Sequence, residues 1–210
     1  MLHAGVAPGN VRSVPSRTPL QIQLADGDRR PTALDAFRLA RADFLAGRRL
    51  DIQALAQRLG VNRVTLHRWV GTREQLLVEV IWSLTEQTLE EEWVRLRSRP
   101  GPRVPELVGR FLHACWSQPG ARRHLEQDND MMMRLLTLTT HGFQPRLIAL
   151  LRGKLADDIA TGRITTPLPL DELAYATLRI AESFHYRPTI TGEPADPDGA
   201  TRVLGALLRP

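Results

Sequence analysis

Between Asn62 and Arg73 the chain reads NRVTLHRWVGTR. Asn62, Arg63, Thr65, His67 and Arg68 spread amide, guanidinium, hydroxyl and imidazole groups over most of about two helical turns. These groups are suited to base edges and phosphate oxygens. A helix buried in a core could not carry that load without partners, which argues against an ordinary core hairpin. Thr72 and Gln75 have the spacing of a capping box that opens a further helix, with Arg73 in its first turn. A helix N-terminus beside a guanidinium is a phosphate-binding end. The expected chemistry is recognition of double-stranded DNA. Arg63, Thr65 and His67 are expected at base edges, Arg68, Arg73 and the Thr72 end at phosphates, with Asn62 and Trp69 on the same surface.

The flanking pattern supplies the scaffold. Ile52, Leu55, Leu59, Val61 and Leu66 follow a helical rhythm interrupted once, at Gly60. Glycine provides the positive φ of a helix C-cap and Asn62 an N-cap. The spacing predicts a helix over 52–59, a tight turn and a helix over 63–69. Ala56 permits close crossing, and Val61, Leu66 and Trp69 fill the angle between the helices. This is helix-turn-helix geometry, whose second helix enters the major groove.

The segment LAQRLGVNRVTLHRWVGTREQLL resembles the DNA-binding segment of TetR-family regulators, roughly IA-x3-GV-S-x-x-TLY-x-HF-x-SKE-x-LL. Thr65, Leu66, Glu74, Leu76 and Leu77 match it. His67 replaces the usual Tyr, Trp69 and Val70 stand where His and Phe are common, and Arg73 replaces Lys. The resemblance covers about residues 32–97. It implies a three-helix DNA-binding domain, a helical second domain with a ligand pocket, and a dimer paired through its last long helices.

Charge is unevenly placed. The 210 residues carry a net charge of +5; residues 1–73 hold 12 Arg against 5 acids, and residues 74–210 hold 16 basic residues against 18 acids. A basic first third on a slightly acidic remainder suits a DNA-binding module attached to something else. No apolar run approaches the ~18 residues of a membrane span, and the N-terminus lacks a signal-peptide layout. The single cysteine, Cys115, excludes an intrachain disulfide and reads as core packing rather than a redox sensor. A cytoplasmic protein is expected.

Residues 1–31, rich in Pro, Gly, Ser and Arg, read as an irregular arm. Its arginines at 12, 17, 29 and 30 either reach DNA or are solvated. Residues 32–75 form the expected DNA-binding domain, with a helix from about Ala33 to Ala46 behind the reading pair. Residues 76–210 form the expected ligand-binding and dimerisation domain. A long helix over 73–97 is shared by both. Further helices are expected at about 104–117, 121–127, 131–138, 146–161, 171–186 and 200–208. Pro100, Pro119, Pro145, Pro167 and Pro169 read as breaks, 187–198 as a loop, and Asp128 and Asp130 as a helix cap rather than half a metal loop. No segment alternates with period two, so the fold class is all-α. Apolar stripes on 146–161 (Leu147, Leu151, Leu155, Ile159) and 171–186 (Leu173, Leu178, Ile180, Ala181, Phe184) are expected to pair two copies as a homodimer on a palindromic operator. An intramolecular hairpin is the alternative.

Candidate ligand-binding residues are Trp82 and Glu86 on the long helix, His113 and Trp116, Met132 and Met133, and Arg179, Glu182 and Tyr186. Tyr175, Arg179, Glu182 and Tyr186 share a helix face. Arg179 can meet a ligand carboxylate or simply pair with Glu182, and the methionine run can be ordinary core. Scattered histidines and the absence of HExxH, GxSxG, P-loop or CxxC argue against an enzyme, and no cofactor or metal is expected. The segment LPLDELAYATLRIAESFHYRPTITGE resembles the TetR subgroup named for the quorum-signal-degradation regulator QsdR. That resemblance implies a repressor released by a small, lactone-like effector. The alternative is a DNA-binding protein without an effector, whose second domain only dimerises or recruits a partner.

Overall fold

The computed structural model describes residues 18, 20–21 and 30–210. Of the expected arm (1–31), Arg12, Arg17 and Arg29 lie outside the described residues, and Arg30 is exposed. Residues 32–210 form one compact unit. The described residues hold eleven α-helices and no strand, so the all-α expectation holds.

The first three helices are α1 (Ala33–Leu45), α2 (Ile52–Leu59) and α3 (Arg63–Val70). Thr32 and Asp35 close a capping box on α1. Asp51 caps α2, accepting from the N–H groups of Gln53 and Ala54. Gly60 ends α2 at φ 66°, and Val61 N–H returns to the Ala56 carbonyl at 3.1 Å, the paired reverse bonding of a glycine-terminated helix. Asn62 Oδ1 accepts from Thr65 N–H at 2.7 Å and starts α3. Asp43, buried near the end of α1, accepts from Arg48 at 2.6 Å and from Arg58 of α2 at 2.5 Å. One carboxylate thus fixes the turn after α1 and the angle of α2.

Helix α4 (Arg73–Arg95) runs 23 residues without a break, about 35 Å at 1.5 Å per residue. The chain continues through α5 (Val104–Ser117), α6 (Pro119–Gln127), α7 (Asn129–Thr137), a 3-10 turn at Thr139–His141, α8 (Phe143–Ala160), α9 (Leu170–His185), α10 (Arg187–Ile190) and α11 (Pro197–Leu207). Helices α5 and α7 and the 3-10 turn pack on α4, and α11 packs on α5 and α9. Pro119, Pro188 and Pro197 sit in the first turns of helices, and Pro145 lies just inside α8. There a missing N–H costs little, so several helices begin earlier than the proline breaks suggested. Asp128 occupies the N-cap position of α7 without a side-chain capping bond, contrary to the expected cap.

Both apolar stripes turn inward. Leu147, Leu151, Leu155, Leu173 and Leu178 are at most 7% exposed within a single chain, and α8 packs on α9. The expected pairing surface is therefore core. The outer face of α8 instead presents Ala149, Gly153 and Ala160, with Tyr175 exposed on α9.

The far end of α4 is pinned. Asp158, fully buried, accepts from Arg103 Nε at 2.6 Å and from the N–H groups of Arg103 and Val104. The Arg103 guanidinium lies 3.8 Å from the centre of the Trp93 ring, which also faces Lys154. Asp158→Ala would leave a buried cation and two helix-start N–H groups without their acceptor. Unfolding free energy is expected to fall by about 3–5 kcal/mol, read as a lower urea midpoint at unchanged slope.

Candidate nucleic-acid interface and internal cavity

Leu66 is the buried anchor of α3, and Trp69 and Val70 pack against the core. Asn62, Arg63, Val64, His67 and Arg68 are exposed, and Thr65 is half-buried. The structure thus brings Asn62, Arg63, His67 and Arg68 to one solvent-facing surface. Trp69 is half-buried beside that surface and packs against the core, in the angle between the two helices where it was also expected.

The start of α4 adjoins this surface. Thr72 Oγ1 accepts from Gln75 N–H at 3.2 Å, and Gln75 Oε1 accepts from Thr72 N–H at 2.8 Å. The N–H groups of Arg73 and Glu74 have no partner among the described residues and remain suited to an anion. Arg73 has a second duty: its Nε donates to the Leu50 carbonyl at 2.9 Å, and its guanidinium lies 3.6 Å from Glu74. It stitches α4 to the loop before α2.

Behind α4 lies a largely apolar cavity of about 230 Å³. Ile81, Leu84, Thr85, Thr88 and Leu89 of α4 form one wall; Phe111 and Cys115 of α5, Gln118 at the junction of α5 and α6, and Met132 and Leu136 of α7 form others. Glu182 and His185 of α9, with Tyr186 just beyond it, complete the lining. Phe44 and Leu45 at the end of α1 reach the same space.

Of the expected ligand residues, Met132, Glu182 and Tyr186 line this cavity. Trp82 sits behind the wall, edge-on to Phe143 at 5.8 Å. Trp116 also sits behind it, donating from Nε1 to His185 Nδ1 at 3.2 Å. Arg179 pairs with Glu182 at 2.8 Å and donates to Gln144, outside the lining. Glu86 and His113 are exposed, His113 facing Asp198 at 2.9 Å, and Met133 is not a lining residue. For Trp82 and Glu86 the reason is helical phase. The inward face of α4 carries Ile81, Thr85 and Leu89, and the expected Trp82 and Glu86 are one residue further on, about 100° around the helix. The buried spacing of Val80, Ile81 and Leu89 carried the signal that would have found Thr85.

Burial sets the electrostatics. It holds the His185 imidazole down at about 4 and lowers His124, while a nearby Asp128 opposes the latter shift. It pushes the Cys115 thiol up to about 12 and raises Tyr186. Burial also raises Glu182, against a hydrogen bond from Gln144 and the charge of Arg179.

The cavity touches the DNA-proximal helices through α6 as well as α4. Gln118 Nε2 donates to the Leu45 carbonyl at 3.0 Å. His124 stacks on Phe44 with ring centres 4.6 Å apart. A Cβ on Gly120 would sit 2.3 Å from the Leu45 carbonyl oxygen, so only glycine allows this approach. Among the described residues no group of acidic, His or Cys side chains is arranged to hold a metal ion, and no helix is long and apolar enough to cross a membrane.

Residues 101–209 match the family model described as Tetracyclin repressor-like, C-terminal domain. Among solved structures, the chain is similar to the transcriptional repressor QsdR of the TetR family from R. erythropolis. The two are 28% identical, with 84% of this chain and 93% of that chain covered and a TM-score of 0.74. A TetR-family transcriptional regulator from Agrobacterium tumefaciens shares the fold at 16% identity and a TM-score of 0.51, covering 85% of this chain and 97% of that chain. No curated protein sequence matches the chain.

The buried histidines predict acid sensitivity. An unfolded His185 takes a proton near ~6.5, whereas the folded one resists protonation down to about 4. Between those values the unfolded chain binds more protons, so stability rises with pH there. The contribution is complete above the unfolded value and is lost as pH falls towards the folded one. Glu182, raised by burial, works in the opposite sense. The wild type is expected to lose more stability than His185→Gln over this window, by on the order of 2–3 kcal/mol. Urea unfolding of both proteins at stepped pH measures it.

Proposed function

The chain belongs to the TetR family of DNA-binding transcriptional regulators, and from that premise we propose that it is a repressor whose cavity takes a small effector that releases it from its operator. Members of this family are transcription factors and not enzymes. The observation that carries the reading is the course of α4: it opens beside the polar face of α3 and its middle walls the cavity. An effector that prefers one placement of α4 biases the reading helix, because a ligand shifts an equilibrium only by its differential affinity. Residues 32–75 then serve as the reading domain and 76–210 as the effector and dimerisation domain, in a cytoplasmic protein. The lactone-like effector implied by the C-terminal resemblance is one molecule this arrangement would accept. The cavity weighs against the reading in which the second domain only dimerises or recruits a partner.

In this reading two copies pair through the outer faces of α8 and α9, around Ala149, Gly153 and Tyr175, to meet a palindromic operator. Arg63, Thr65 and His67 face base edges, and Arg68, Arg73 and the Thr72 end meet phosphates. Selection from a random duplex library is the test. The wild type is expected to enrich a symmetric site, and Arg63→Ala a site with relaxed preference at one position of each half, worth about 1–3 kcal/mol. Gly153→Glu has open space around its Cβ, and is expected to fold, sediment as a monomer and lose enrichment. The same consensus from Arg63→Ala as from wild type would remove the base-reading assignment; a dimeric Gly153→Glu would move the interface.

A further inference from the structure

Resting on the repressor reading, we propose that the cavity is built for an uncharged, mainly apolar molecule carrying one hydrogen-bond acceptor, held by the Tyr186 hydroxyl and the Nε2–H of His185.

Charge is the first constraint. Glu182 is the lining side chain that carries a formal charge, and it is already matched. Its Oε1 lies 2.5 Å from Gln144 Nε2 and its Oε2 2.8 Å from Arg179 Nη2. Arg179 is drawn into this pair and away from the lining. The lining therefore holds no cation for a carboxylate and no unpaired anion for an ammonium, although Arg179 Nε, outside the lining, has no hydrogen-bond partner among the described residues. Burying a charge without a counter-charge is far costlier than burying an apolar group.

Donors are the second. Tyr186 is 4% exposed, lines the cavity, and its hydroxyl has no hydrogen-bond partner among the described residues. With no protein partner and a place on the lining, this hydroxyl is open to a guest. His185 Nδ1 accepts from the Trp116 indole at 3.2 Å, which places the hydrogen on Nε2. That Nε2–H also lacks a partner among the described residues. Burial keeps the ring uncharged at neutral pH, so it offers a donor without a cation. Thr85, 5% exposed on α4, adds a hydroxyl on the wall that moves with the reading helix.

Size is the third. At about 230 Å³ the cavity exceeds the ~150 Å³ that accommodates benzene in an engineered protein core. A short chain or small ring with one carbonyl or ether oxygen fits this description.

The experiment is calorimetric titration of the full-length protein with methyl hexanoate, hexanoate and hexylammonium. The ester is expected to bind at least about tenfold more tightly than either ion, and Tyr186→Phe to weaken the ester by about five- to tenfold while thermal unfolding stays near wild type. Equal or tighter binding of hexanoate or hexylammonium, no binding of the ester, or unchanged ester binding by Tyr186→Phe would overturn the proposal. Operator binding measured alongside separates the two readings. An ester that binds as expected while the operator stays bound would leave this assignment standing and count against the effector-released repressor. Release by hexanoate in preference to the ester would do the reverse.

Discussion

The structure depends on α4 remaining one unbroken helix. Its 23 residues link three places with different duties. The first turn, closed by the Thr72–Gln75 capping box and stitched to Leu50 through Arg73, fixes the start of the helix against the reading domain. The middle walls the cavity. The last turn is held by Trp93 under Arg103, which is anchored by the buried carboxylate of Asp158. Ion pairs from Glu79 to Arg146 and from Glu90 to Lys154 tie its length to α8. A rod held at its far end and pressed in the middle carries displacement to its first turn and the reading domain stitched there; a hinged segment would absorb it.

A second route joins the cavity to the reading domain. The N-terminal turn of α6 lies against the last carbonyls of α1 through Gln118 and Gly120, and His124 stacks on Phe44. Phe44 and Leu45 also border the cavity. Asp43, next to Phe44, holds Arg48 and Arg58 and thereby α2. A molecule in the cavity therefore meets side chains on both sides of the junction, and any strain reaches α2 and α3 through bonded contacts rather than through solvent.

Much of the reading domain was legible in the sequence because its signals are local. Gly60 needs a left-handed backbone, Asn62 caps, Thr72 and Gln75 close a box, and each acts within a few residues. Trp69 reads both ways, because a large ring on a polar helix satisfies both a groove and a core pattern, and it is half-buried against the core. The cavity was less legible. Thr85, Cys115, Gln118 and His185 become neighbours only when four helices pack, and the same stripe that was expected to pair two chains, Leu147, Leu151 and Leu155, is spent inside one. Apolar periodicity says that a face is covered, not by what. The prolines at 119 and 145 misled boundary placement because their effect depends on position within a helix, not on presence.

The central claim is that occupancy of the cavity resets the placement of the reading helices in a dimer. The most direct measurement is the distance between spin labels attached at Ala42→Cys, an exposed position on α1, in each protomer. The native Cys115, half-buried on the cavity wall, is replaced by serine so that only residue 42 takes the label. Distributions would be compared for the otherwise wild-type protein, free and on its operator, and for Ala181→Phe, which places a ring in the cavity. The account predicts a separation on the operator that the free protein also samples and that Ala181→Phe abandons together with operator binding. An Ala181→Phe distribution identical to that of the unfilled protein would contradict it.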